Sequence, residues 1–580
     1  MLQSTSNVTM REFLSRTGIL PFLDRTGLRR PLGRLWRIVR DPETLGHEWA
    51  LWKDYRVFKR RYGAIVADGA RFADPNRRVL IVSLTNWIWQ VKLESLLAKA
   101  LQLRGYTPVI LTYRWCRNVF KYYQIYGIDE FVFFDDYISH PVPAEIAQAA
   151  RAALADAHSI QAIKNLRYRG VSVGRQVLAS ITRGLHRSVQ VTDPEFRDLL
   201  ERSLPEAMQA VPAAEVIMDR VQPATTLFLD KDYMGIGAIF DLSINRGVNT
   251  IQWLGSQRDD AYILKRYTAE TRNVHPQSLS EESWERVKQM VWTEQHERVL
   301  QQDFADRYQI GKWASYYNRP YGSFKSKEAI QKELGLDPRK KTAVIFSHIL
   351  WDSTFFWGED LFDDYAEWLV EAVRAACANP GVNWVVKLHP ANAWKLKRDG
   401  VRGELHDYII LRERVGTLPA HVTILDSEAD LNTFALFDVT DYCLTVRGTI
   451  GIEMPCFGTP VLTAGTGRYS GLGFTVDSTT RAEYLERLAN IQDIPCLTPE
   501  QAALAKKYAY ALFALRPWQF KTFETVYLPL RNGGHPLDHN LVIHANSPSD
   551  IANAPDLNAF ADWAVGSRAA DYMVVDGANP

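Results

Sequence analysis

The sequence of 580 residues predicts an α/β protein built from two Rossmann-like, doubly wound domains that face one another across a cleft, with a helical N-terminal extension. Two separate stretches alternate short apolar runs with helical periodicity. The runs are apolar throughout, as in parallel strands covered on both faces, and glycine-containing or polar turns follow them.

In the first stretch, RVLIVSL (78–84) reads as a buried strand and 90–105 as a helix stopped by glycine. TPVILTY (107–113) and EFVFFDD (130–136) follow as strands, and 143–220 is mostly helical. ATTLFLD (224–230), a helix over 237–246 and VNTIQWLG (248–255) complete this sheet. The polar, Tyr-rich region 257–339, helical near 281–307, reads as insertion and connection. In the second stretch, strands are expected at 342–348, 382–390, 421–426, 441–446 and 459–465, with helices over 363–378, 430–437 and 449–457. The expected layout is a basic helical extension (1–75), two α/β domains (76–335 and 336–530) and an acidic, partly disordered tail (531–580). Beyond Gly533 the chain has one Arg and six Asp.

Sixty-eight Lys+Arg against 67 Asp+Glu leave a net charge of +1, so no whole-molecule field draws nucleic acid, and none is expected as a partner. Five widely spaced cysteines form no CxxC pair, which points to neither a zinc cage nor a disulfide framework. The N-terminus has no apolar signal core, and no run reaches the roughly 18 apolar residues of a membrane span, so a cytoplasmic protein is expected. From Arg25 to Arg61, eleven Lys+Arg against four Asp+Glu are interleaved with Trp36, Trp49 and Trp52. This segment reads either as a peripheral contact with an anionic inner membrane or as a basic extension packed on its own protein.

Ligands of doubly wound sheets gather at the carboxyl ends of strands, and three constellations fall there in the second domain. Lys387-Leu388-His389-Pro390 closes the strand 382–390; Lys387 and His389, two apart, are expected to face the cleft and donate to an anion. Arg447-Gly448-Thr449-Ile450-Gly451-Ile452-Glu453 follows the strand 441–446 and opens a helix, where backbone amides and a hydroxyl suit phosphate. Thr449 is equally an ordinary N-cap. Glu453, one turn on, is placed to accept from ribose hydroxyls. The glycine-rich loop 465–473, with Gly467 and Tyr469, is a third candidate for phosphate or sugar.

KLHP, followed some sixty residues later by RGTIGIEMPCFGTPVLTAGTGRYSGLGFTVD, resembles the donor-binding half of bacterial capsule polysaccharide biosynthesis proteins, the group that includes the Kdo transferases. Those proteins are GT-B type glycosyltransferases with an HP motif and a Ser/Thr motif. The resemblance implies a donor phosphate contacted by His389 and held by Thr449 and the amides after it, with Glu453 near the nucleotide sugar. Lys387 and Arg447 are added on electrostatic grounds. The chain departs from the family in having Arg447-Gly448-Thr449 where a Ser-Ser or Ser-Thr pair is frequent, and Leu254-Gly255 where an HG pair ends a first-domain strand.

Glycosyl transfer needs a group to deprotonate the acceptor or act as nucleophile. Asp230 and Asp232, at the end of ATTLFLDKD, are the first-domain candidates, with helix capping as their alternative role; His348, after the first strand of the second domain, joins them. Asp230-Lys231-Asp232 also spells the DxD pattern of metal-dependent transferases of another fold, but cations in the donor half favour a metal-independent reaction. No cofactor is expected beyond a nucleotide-sugar co-substrate, possibly CMP-linked. The expected function is transfer of that sugar to a surface polysaccharide or glycolipid acceptor in capsule biosynthesis. A CDP-polyol phosphotransferase of the teichoic-acid type and a non-catalytic carbohydrate-binding or export subunit stand as alternatives.

Overall fold

The structure is a computed structural model and describes residues 43–67, 73–310, 322–527, 537 and 539–574. Residues 25–42 of the basic segment and the chain end after 574 lie outside these. The first described element is the Glu43–Val66 helix, which buries Phe58, Tyr62 and Val66 against the first domain.

The first sheet contains β1 (Asp74–Val82), β2 (Tyr106–Thr112), β3 (Phe131–Phe133), β4 (Thr225–Phe228), β5 (Asn249–Gly255) and β6 (Ala261–Tyr267), in the order β6-β5-β4-β1-β2-β3. All neighbours are parallel except β5 and β6. Alternation along β1 sends Val79 and Ile81 into one core and Leu80 and Val82 into the other, so both faces are covered. The Ile88–Leu103 helix covers the first face; Val173–Leu185, Pro194–Val221 and Ile236–Asn245 cover the second.

The second sheet is wholly parallel: β7 (Thr342–Phe346), β8 (Asn383–Lys387), β9 (Val422–Leu425), β10 (Tyr442–Thr445), β11 (Val461–Thr463) and β12 (Val476–Asp477), in the order β12-β11-β10-β7-β8-β9. Ala343 and Ile345 enter one core, Val344 and Phe346 the other. Both sheets therefore reverse strand order beside their first strand, β1/β4 in one and β7/β10 in the other. The two doubly wound domains meet across a cleft at these switch points, which is the predicted architecture.

Two expectations change. The chain returns to the first domain after the second: β13 (Pro517–Gln519) pairs antiparallel with β6 and makes the first sheet seven-stranded. Beyond it, β14 (Phe523–Tyr527) and β15 (His539–Ile543) form a hairpin, and the Pro555–Gly566 helix buries Leu557, Phe560 and Ala564 in the first-domain core. Over 539–574 the acidic tail is thus folded rather than disordered: its apolar residues pack into the first-domain core, Asp571 is buried against Lys265 at 2.8 Å, and Asp556 accepts the Lys521 N–H at 2.7 Å. The polar connection also contains β6, whose sequence AYILKRY pairs along its whole length with β5.

Candidate active site

The cleft has a volume of about 1070 Å³ and is lined from both domains. On the first-domain side, β4 ends at Phe228 and Asp230 projects into the cleft beside Leu229 and Tyr233. Asp230 is half-buried and, among the described residues, makes no ion pair or hydrogen bond. Desolvation first, then the nearby Asp352 carboxylate, push its pKa up to about 6. It remains mostly ionised at neutral pH, with a proton affinity matched to general-base work.

Asp232 goes elsewhere. Because β4 stops at Phe228, the two-residue alternation does not reach it, and its carboxylate is buried against Arg272 at 2.8 Å. Arg272 is shared with Asp241 at 2.7 Å. The two aspartates of the DxD spelling therefore do not face one site.

On the second-domain side, β8 also ends early, at Lys387. The chain turns, and Lys387 is buried behind the cleft with its Nζ donating to the Leu388 carbonyl at 3.3 Å, where burial lowers its pKa to about 8. His389 does line the cleft. Its Nδ1 accepts the Ala391 N–H at 3.1 Å, which leaves the ring proton on Nε2. Burial, helped by Lys395 and Lys387, pushes its pKa down to about 3, so it is a neutral donor. Pro390 caps the Ala391–Arg398 helix by position and fixes the turn.

His348 lines the cleft but is occupied. Its Nε2 accepts from the Val446 N–H at 3.2 Å, lies 3.2 Å from Thr445 Oγ1, and the ring stacks on Tyr365. Burial and the Arg447 charge hold its pKa well below the ordinary value. It is a neutral buttress for the loop after β10 rather than a base.

That loop brings Gly448 and Thr449 to the cleft. A Cβ at Gly448 would lie 2.9 Å from Thr445 Oγ1, which is why glycine stands there. Thr449 does not cap its helix; its Oγ1 accepts from Arg468 Nη2 at 3.2 Å. Ile450 and Gly451 form the first turn behind it, and a side chain at Gly451 would overlap the Tyr469 hydroxyl. Tyr469 is buried and donates to the Gly448 carbonyl at 2.7 Å, so it props the loop from below.

Three more expected donor residues lie outside the cleft or are already engaged. Arg447 lines the cleft but is buried, and its guanidinium is spent on Asp360, Tyr365 Oη and the Thr466 carbonyl. Glu453 is buried against Arg307 and accepts from the Tyr308 hydroxyl at 2.5 Å, so it anchors the helix start to the interdomain connection. Gly467, at φ 91°, packs against Gly358, and its carbonyl accepts the His275 N–H at 2.8 Å. It permits a close domain contact.

The structure adds residues that the motifs do not reveal. Arg468 is buried at the cleft wall, donates to Thr449 Oγ1, to the Arg447 carbonyl at 3.0 Å and to Gln277 Oε1 at 2.7 Å. Among the described residues it has no carboxylate partner, and its Nε has no hydrogen bond. A buried cation with no carboxylate in direct contact is costly unless a ligand supplies one. Gln277 reaches it from the first domain, and Arg183 of the Val173–Leu185 helix pairs across the cleft with Asp399 at 2.8 Å. Lys395 pairs with Asp352. Arg468 carries one legible signal, an Arg inside a glycine-rich turn after a strand.

No family model matches the chain, and no curated protein matches it. Solved structures similar to it include a beta Kdo 2,4 transferase, KpsC, of Thermosulfurimonas dismutans, at 15% identity and TM-score 0.31 over 51% of this chain and 82% of that one. A UDP-GlcNAc 2-epimerase from Neisseria meningitidis bound to UDP-GlcNAc is similar at 11% identity and TM-score 0.25, over 75% of this chain and 96% of that one. The spinosyn rhamnosyltransferase SpnG is similar at 13% identity and TM-score 0.25, over 76% and 96%.

Proposed function

We propose that the protein is a glycosyltransferase that moves a sugar from a nucleotide-activated donor to an acceptor hydroxyl. The observation that carries this is the pairing across one cleft of Asp230, desolvated and unpaired among the described residues, with the anion-binding set His389, Thr449 and Arg468. In the proposed reaction the acceptor oxygen attacks the anomeric carbon and Asp230 takes its proton. The bond from that carbon to the phosphate oxygen breaks, and its electron pair leaves with the nucleotide. Arg468, the His389 Nε2–H and the Thr449 hydroxyl offset the charge that develops on the phosphate, in a site where little water screens them.

A carbohydrate or lipid-linked acceptor in surface-polysaccharide assembly is the setting that the sequence resemblance suggests. An anionic membrane surface suits the Glu43–Val66 helix, whose exposed face carries Lys53, Arg56, Lys59, Arg60 and Arg61 with Trp49 (62% exposed) and Trp52 (52%). Arg56 lies over the Trp52 ring at 4.7 Å.

The test is the thermal shift of the whole chain with CMP, CDP, UDP, GDP and their sugar conjugates. Ligand at about 100 times Kd adds roughly 2.7 kcal/mol to stability. Stabilisation by one nucleotide family, abolished in His389→Ala, is the expected result. No response to any of them at millimolar concentration contradicts the reading.

A further inference from the structure

Beyond the donor half, the first-domain wall of the cleft carries an aromatic surface that no step above uses. The segment after β1 brings Trp87 and Trp89 to the cleft, and the segment after β2 brings Tyr113. Trp87 stacks on Trp89 with ring centroids 6.5 Å apart and an interplanar angle of 28°. Trp115 stacks on Tyr113 at 5.5 Å and 17°. Trp87 is 48% exposed and Trp115, just beyond the cleft-lining residues, 52%, so each pair presents one indole to water.

Folding does not account for this. Large aromatic rings bury well, and stacked pairs left half in solvent on a soluble protein mark a surface with a partner. The rings are held rather than loose. Trp89 meets Trp253 edge-on at 6.1 Å, and Tyr113 meets Phe134 edge-on at 6.0 Å. A face fixed from behind loses little entropy when a ligand settles on it.

We propose that this wall is an oligosaccharide-binding platform that holds the acceptor chain while its terminal hydroxyl reaches Asp230. The position follows from the sheet. Asp230 follows β4, Trp87 follows β1 and Tyr113 follows β2, three neighbouring parallel strands, so the wall runs outward from Asp230 for about 10 Å, two strand spacings. That accommodates two sugar rings laid end to end. A pyranose presents an apolar face of C–H groups that matches an indole, and its hydroxyls at the rim need polar partners. Thr85 and Asn86, next to Trp87 in the chain, line the cleft and provide them. A lipid tail would call for an enclosed apolar channel, whereas these faces are open and edged with amides and hydroxyls.

The assignment of the chain as acceptor rests on the glycosyl-transfer reading; the binding itself does not. The experiment is a glycan array of defined bacterial-type oligosaccharides probed with the full chain, wild type and the variants Trp87→Ala, Trp115→Ala and Trp115→Phe, followed by titration of the strongest glycan. Wild type is expected to retain a set of chains of two or more sugars. Each alanine variant should bind roughly tenfold more weakly, about 1.4 kcal/mol, while Trp115→Phe keeps most of the affinity because it keeps a flat face. The nucleotide-induced thermal shift of both alanine variants should match wild type, which shows that they fold and separates this platform from the donor site. Absence of any retained glycan, equal binding by wild type and both alanine variants, or retention only of a polyprenyl phosphate presented in micelles overturns the platform. Loss of the nucleotide response in wild type with glycan binding intact would instead overturn the donor reading.

Discussion

Asp230 and Glu453 show how two acidic residues at strand and helix ends come to opposite uses. Asp230 is desolvated without a cation bonded to it, and its pKa of about 6 lies above its unfolded value near 3.9. Between about pH 4 and 6 the unfolded chain ionises first, so this group's contribution to stability is present below that window and lost above it. Asp230→Asn should therefore not lower Tm at pH 7, yet should cut transfer by roughly 100-fold or more. The wild-type rate should rise with pH through an apparent pKa near 6, read from a pH–rate profile. Glu453 instead serves the packing of the chain. Its partner Arg307 is buried and shares its charge between Glu453 and Asp303, so Glu453→Gln, which removes one of these carboxylates, should cost about 3 kcal/mol in denaturant unfolding without any nucleotide present. A contact with donor ribose alone would leave apo stability unchanged. Asp230, His389 and Thr449 are readable as cleft residues because each follows the carboxyl end of a strand, Asp230 and Thr449 at the switch points and His389 one strand away. Asp232, Lys387, Arg447 and Glu453 share the same positional signal but are taken inward, three of them by charges or carbonyls distant in sequence, Arg272, Asp360, Thr466 and Arg307, which local spacing cannot reveal.

At the scale of elements, the apolar strand runs are legible because a parallel strand covered on both faces has no polar side to disguise it. β6 and the Pro555–Gly566 helix are harder to read, since each is embedded in polar or acidic sequence and closes on the first domain through long-range pairing. Trp518 and Phe560, 42 positions apart, meet at 5.5 Å between ring centroids. The Glu43–Val66 helix has a different asymmetry, with one face in the core and the other basic and aromatic. If that outer face meets anionic lipid, the full chain should sediment with vesicles of mixed phosphatidylcholine and phosphatidylglycerol but not with phosphatidylcholine alone. Replacing Trp49 and Trp52 together by Ala should release it, and each basic residue near the surface should contribute about 1 kcal/mol. Equal sedimentation of wild type and the double variant would show that this face does not carry the contact.

Across the whole molecule, the two domains are held together by charge as well as by chain crossings. Lys164 and Arg175 of the first domain meet Asp360 and Glu359 of the second, Arg175 also donates to the Phe355 carbonyl at 3.0 Å, and Phe355 itself is buried in the first-domain core. Asp360 in turn holds Arg447, so the clasp that joins the domains also fixes the loop presenting Gly448 and Thr449. The two walls of the cleft are therefore built in separate domains and held in place by the same clasp. The most direct test of this account is calorimetric titration of the stabilising nucleotide into wild type, His389→Ala, Arg468→Ala and Asp230→Asn. Affinity should be at least about tenfold weaker for the first two variants and unchanged within about twofold for Asp230→Asn. Equal affinity in all four proteins, or a loss confined to Asp230→Asn, would contradict it.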